Sequence, residues 1–336
     1  MTLPQVEAAV EDLQHANREL LAVVDALSEA DWERPVPYGE WTVKDLIAHA
    51  IGDMSPSGPG LIHAGIVTPE FIEETSRTFD VRSRNDDMVA ERRRLTREDL
   101  RQMLFPAHDA FIDAAYRLDE RHLPVLDYDV PMGPEYSLKV LDWLWRGYHP
   151  RQHADDIRRA LEVDYKPENL TFLPEIDEQL GVAQRRLEGF VRAVYSVADD
   201  AWNEIAPGTG GWTYHDVAAH ISSNESRTHI RLRSALGEAS EDELKAIDDI
   251  DGWNATSTAE RKDWPVRRLI DELLAGRYET HRILSRFKAE HLDHEARIGS
   301  GITLPAREFI HRVLSHAHTS HHAGQLVPAS RARRQS

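Results

Sequence analysis

The chain has 336 residues, 41 % of them hydrophobic and 29 % charged, which at roughly 150 residues per domain is enough for about two cored domains. Its net charge of −18 argues against a nucleic-acid backbone or an anionic membrane as the main partner, since both require basic patches. The absence of cysteine excludes disulfides, thiolate metal sites, iron–sulfur clusters and a cysteine nucleophile.

Taken in chain order, the predicted elements are helices. The N-terminal segment MTLPQVEAAVEDLQ is acidic and polar from its start, unlike a signal peptide, and no apolar run approaches the ~18 residues of a membrane span. A soluble cytoplasmic protein is expected. Val6, Val10, Leu13, Leu20, Val24 and Leu27 form an apolar stripe at helical spacing. A second helix starts after Thr42, which with Asp45 three residues on reads as a capping box, and Trp41 with Leu46 reads as a hydrophobic staple. SPSGPG (55–60) reads as a loop opening a long connection to residue 95, which has room for short helices. A third helix starts near Thr96, with Asp99 at the capping position, and a fourth covers about 137–161. No segment alternates convincingly with period two.

The pattern then repeats. GEWTVKDLIAHAIGDM (39–54) matches GGWTYHDVAAHISSNE (210–225), which pairs Trp41 with Trp212, Asp45 with Asp216 and His49 with His220. NDDMVAERR (85–93) matches NATSTAERK (254–262), and His122 falls on His291. HPRQHADD (149–156) falls on HTSHHAGQ (318–325), which pairs His149 with His318 and His153 with His322. Four blocks in one order imply two homologous domains, 1–165 and 174–330, joined near KPENLTFLP (166–174). In the second half the corresponding helices begin near Ile176, at Thr213 with Asp216, over Val266 to Phe287, and over about 305–326. The expected fold is all-α, as two tandem four-helix bundles.

The histidines carry the chemistry. His149/His153 and His318/His322 are spaced i, i+4, so two imidazoles share one helix face and can chelate one ion. His49 and His220 supply a third imidazole from another helix. Three neutral histidines leave coordination positions open for water or substrate, and imidazole suits zinc, nickel, iron and copper alike. A lone HxxxH is more often a surface pair, but here both halves keep all three positions. His318/His321 is a competing pair in the crowded stretch His316, His318, His321, His322, where His316 and His321 read as supporting or solvent residues. Pro150, between two ligands, predicts a kinked helix beside Gly147. Asp53, Asn224, Asp156 and Gln325 stand where they can accept a ligand's other ring proton. His122 and His291 sit at helix ends and read as structural. Arg92 and Arg261 are candidates to bind an acidic substrate, or else to cap a helix or pair with a glutamate.

WTVKDLIAH (41–49), HTSHHAGQL (318–326), the looser HPRQHADDI (149–157) and the N…AER elements at 85–92 and 254–261 resemble the DinB-like superfamily, which includes the mycothiol-dependent maleylpyruvate isomerases and bacillithiol transferases. The resemblance spans nearly the whole chain as two copies. It implies four-helix bundles with a three-histidine divalent metal, zinc or nickel foremost. It further implies a low-molecular-weight thiol as cosubstrate toward a small electrophilic molecule, and either a monomer built as a covalent pseudo-dimer with pseudo-two-fold symmetry or a homodimer. The metal ligands it points to are His49, His149 and His153, and His220, His318 and His322. A metal-dependent hydrolase and a non-enzymatic, stress-related metal-binding protein are the competing readings.

Overall fold

The computed structural model describes residues 3–37, 41–54, 57–76, 81–131, 137–145, 147–163, 170–315 and 318–327. The chain divides into two compact units, Met1–Lys166 and Pro167–Ser336. Part of the linker read at 166–174, namely 166–169, lies outside the described residues.

Unit 1 runs α1 (Pro4–Asp25), α2 (Val43–Asp53), α3 (Ser57–His63), α4 (Pro69–Ser76), α5 (Val81–Arg92), α6 (Arg97–Ala115) and α7 (Leu123–Leu126). A hairpin of β1 (Asp129–Pro131) and β2 (Ser137–Lys139) follows, then α8 (Val140–Trp145) and α9 (Tyr148–Glu162). The capping boxes at Thr42/Asp45 and Thr96/Asp99 are formed and start α2 and α6. The apolar stripe of α1 is buried at Val6, Val10, Leu13, Leu20 and Val24, and α1 packs on α9. One core gathers Leu20, Trp32, Leu46, Ile47, Leu100 and Ile157, and a second gathers Val6, Phe111, Leu118 and Leu126.

Unit 2 runs α10 (Pro174–Ser196), α11 (Tyr214–Ala235), α12 (Glu241–Asp248), α13 (Ile250–Glu260) and α14 (Val266–Leu284). The hairpin of β3 (Glu295–Gly299) and β4 (Ile302–Pro305) precedes α15 (Ala306–Ser315) and α16 (His318–Leu326). Thr213 and Asp216 form the capping box of α11. The core includes Ile176, Leu180, Leu232, Ile283, Phe287 and Phe309, where α10 meets α15 and α16 and α11 meets α14. Among the described residues the chain is all-α apart from the two hairpins, and no helix is long and apolar enough to cross a membrane.

Three sequence expectations are corrected. The loop read at 55–60 is helical from Ser57, because Pro59 falls in a first turn where no intrahelical N–H bond is needed; 55 and 56 lie outside the described residues. The hairpins escaped the periodicity test because strands of three to five residues are too short to show alternation. The second turns through Gly299 and Gly301 at φ of 114° and 72°, a region open to glycine. Finally, the fourth helix is two helices in each unit, α8 and α9, then α15 and α16.

Candidate metal centre

Each three-histidine group is assembled from a long-range pairing of two helices. In unit 1, α2 presents His49 and the first two turns of α9 present His149 and His153. One ring nitrogen from each lies within 4.8 Å of the other two. In unit 2, α11 presents His220 and α16 presents His318 and His322, under the same 4.8 Å limit.

The proline between His149 and His153 does not sit in a helix interior. The break beside Gly147 lets α9 begin at Tyr148, so Pro150 occupies the first turn, where its missing N–H has no role to fill. Close packing against α1 sets this start. A Cβ on Gly147 would lie 2.5 Å from the Ala16 Cβ and 2.7 Å from the Asp12 carbonyl oxygen. The Gly147 N–H donates to Asp12 Oδ2 at 2.9 Å, and Arg151 pairs with the same carboxylate.

In unit 2 the nitrogens that face one another are defined. Nε2 of His318 lies 3.2 Å from Nε2 of His220 and 3.2 Å from Nε2 of His322. An ion held tetrahedrally at about 2.0–2.1 Å spaces its ligand nitrogens roughly 3.3–3.4 Å apart, so this donor set fits one divalent metal with little rearrangement. Nδ1 of His322 donates to Gln325 Oε1 at 2.7 Å, which leaves Nε2 as the bare nitrogen. Burial, then the His322 and Arg227 charges, pushes His220 down to about 3. Burial pushes His322 down to about 4, against the Gln325 hydrogen bond. His318, although its outer surface is exposed, is pushed down too, by burial of its ring and then by His322 and His220. Near neutral pH all three are uncharged imidazoles with lone pairs available.

A tryptophan rests on the helix-two histidine in both units. The rings of Trp41 and His49 are 5.0 Å apart and tilted by 48°, and those of Trp212 and His220 are 4.9 Å apart and tilted by 52°. A short return of the chain holds each tryptophan. Val36 N–H donates to the Trp41 carbonyl at 3.0 Å and Ala206 N–H to the Trp212 carbonyl at 2.8 Å. The sequence reading assigned Trp41 only a staple. The missed signal was that each tryptophan stands eight residues before its histidine in both copies.

The supporting residues sort unequally. In unit 1, Asp53 Oδ2 lies 3.1 Å from His149 Nδ1 and 3.5 Å from His49 Nε2, and Asp156 pairs with buried Arg159 at 3.0 Å. In unit 2, Gln325 holds His322, and its amide lies 3.3 Å from Nε2 of His321, which is not one of the three grouped histidines. His316 lies outside the described residues. His122 and His291 each accept a backbone N–H three residues earlier, from Asp119 and Lys288. Arg92 donates to the Met88 carbonyl, while Arg261 grips Glu272 with two bonds of 2.7 and 2.6 Å. Both are thus engaged within the fold. A cleft of about 450 Å³ lined by Trp32, Lys44, Thr96, Arg97 and Arg101 contains none of the histidines.

Residues 13–150 match the family model of the mycothiol maleylpyruvate isomerase N-terminal domain. No curated protein and no solved structure matches the chain. The matched segment carries His49 and His149 on the helices that bring them together. Over residues 13–150, within its first unit, the chain is thus similar to the mycothiol maleylpyruvate isomerase N-terminal domain, a family of the DinB-like superfamily.

Proposed function

We propose that the protein is a divalent-metal-dependent enzyme that activates a low-molecular-weight thiol for transfer to, or isomerisation of, a small electrophilic substrate. The observation that carries this reading is the convergence of three imidazoles in each unit, by helices that meet only in the folded chain. His49, His149 and His153 hold one ion, and His220, His318 and His322 hold another. Zinc and nickel are the metals best suited to imidazole ligands in four-coordinate geometry. Such an ion lowers the pKa of a thiol or water bound to it toward neutrality.

The chain's own residues do the rest. Gln325 fixes the His322 tautomer so that its Nε2 stays unprotonated. Trp41 and Trp212 cover one side of His49 and His220 and keep water from it. Asp53 offers a carboxylate beside His149 that can take a proton. The family of unit 1 favours thiol over water as the nucleophile. Its second copy, the cytoplasmic location and a pseudo-dimeric or homodimeric state belong to the same proposal.

The test is elemental analysis of tag-free protein, wild type beside His153→Ala and His322→Ala, followed by turnover of a small electrophile with and without thiol. Two equivalents of one metal, falling by one in each variant, and turnover only with thiol are the expected results. Turnover without thiol would make the protein a hydrolase. No metal after reconstitution would overturn the enzyme reading altogether.

A further inference from the structure

The two histidine groups differ in the residue at the edge of each. Asp53 stands four residues after His49, and Asn224 stands at the same place after His220. Asp53 is also the last residue of α2, whose final turn holds no basic side chain. A helix C-terminus carries partial negative charge, so a carboxylate there is unfavourable unless a cation faces it. Among the described residues the ion pairs of Asp53 are with His49 and His149, and no lysine or arginine neutralises it.

The distances show what kind of cation would fit. Oδ2 of Asp53 lies 3.1 Å from Nδ1 of His149 and 3.5 Å from Nε2 of His49. The second is too long for a good N–H···O bond. Together they bracket the roughly 3.3–3.4 Å that separates two ligands of one tetrahedral ion. A carboxylate that only held the far nitrogen of His149 would stand behind that ring, away from the metal-facing nitrogens of the other ligands. The matched His220 turns its Nε2 toward His318, and Nε2 is the nitrogen of His49 that Asp53 approaches. Three neutral imidazoles leave a divalent ion with its whole charge, which is costly to hold away from water, and a carboxylate ligand halves that charge. Asn224, a neutral amide, brings no such compensation to unit 2.

We propose that Asp53 is the fourth protein ligand of the ion in unit 1, through Oδ2, so that this centre is filled by its own chain, whereas the centre of unit 2 keeps a position open to an outside anion. Oδ1 of Asp53 is then the oxygen left to take a proton. Four protein ligands mark a structural site, here one that ties α2 to α9, and three mark a site with room for a nucleophile. This deepens the metal-enzyme reading by naming the open centre, and it rests on that reading for the presence of the ions.

The experiment loads the full chain with cobalt(II), whose visible spectrum reports its ligands, and then titrates azide as the outside anion. It compares wild type, Asp53→Asn and Asn224→Asp. Wild type should take two cobalt ions but only one azide per chain. Asp53→Asn should weaken one cobalt about ten- to a hundredfold and admit a second azide. Asn224→Asp, which acts in the other unit and carries the test if Asp53→Asn does not fold, should abolish the single azide. Weaker cobalt in Asp53→Asn without a second azide would make Asp53 an outer support of His149 and overturn the proposal. Two azides on wild type, or none, would overturn it as well while leaving the metal reading intact. No cobalt uptake by wild type would sink both.

Discussion

Gln325 accepts the Nδ1 proton of His322 at 2.7 Å, and that single bond decides which nitrogen of His322 faces His318 and His220. Removing such a support typically weakens metal binding 10–100-fold. Gln325→Ala should therefore loosen zinc in unit 2 by about one to two orders of magnitude, read by competition with a chromogenic chelator. Unit 1, which has no such glutamine, should keep its zinc. Unchanged affinity in both units would show that Gln325 does not set the tautomer.

Gly147→Ala should act on the other unit. Its methyl would overlap Ala16 and the Asp12 carbonyl, and overpacking of this kind costs roughly 1–3 kcal/mol. Because Gly147 starts the helix that carries His149 and His153, zinc should fall from two equivalents toward one. Urea unfolding should show the loss in one transition only. Full zinc and wild-type stability would mean that α9 can shift without disturbing its histidines.

Metal binding and stability should be linked. A ligand at a hundred times its dissociation constant adds about 2.7 kcal/mol to the unit that binds it. Zinc should thus raise the melting temperature, and EDTA should lower it, in wild type. The chain lacking His220, His318 and His322 should lose this response in unit 2. Equal melting with zinc and with EDTA in wild type would contradict the prediction.

Acid should destabilise unit 2 through a histidine that has no part in the metal centre. His281 is pushed down to about 4, by burial first and the Arg277 charge second, against Glu225. The unfolded chain takes up this proton near pH 6.5, before the folded chain does. Stability is therefore lost as pH falls from about 6.5 toward 4 and is unaffected above that window. The loss should be roughly 2–4 kcal/mol across the window. His281→Phe, which keeps the ring against Phe172, should unfold with a shallower pH dependence between 7 and 5. Parallel curves for variant and wild type would exclude this source.

Much of the local structure was legible because it depends on neighbours in sequence. Thr42 with Asp45, Thr96 with Asp99 and Thr213 with Asp216 mark helix starts through bonds that span three residues. The i, i+4 histidine pairs follow from helical pitch alone. The repeat adds the third histidine, since His49 and His220 occupy the same place in both copies. The kink expected beside Gly147 takes the form of a new helix start at Tyr148, but a proline between two histidines gives no sign that it falls in a first turn. That start depends on Gly147 meeting Asp12 and Ala16, some 130 residues away in the chain.

The sequence by itself thus determined an all-α chain, the helix caps and the six histidines, because each rests on short-range periodicity or on likeness between the halves. Only the tertiary structure decided that Trp41 and Trp212 rest against the helix-two histidines, that Gln325 bonds His322 in unit 2, and that Arg261 is engaged by Glu272. These are outcomes of which helix faces meet. Packing between distant helices decides which polar groups find a partner within the fold and which are left to bind something else.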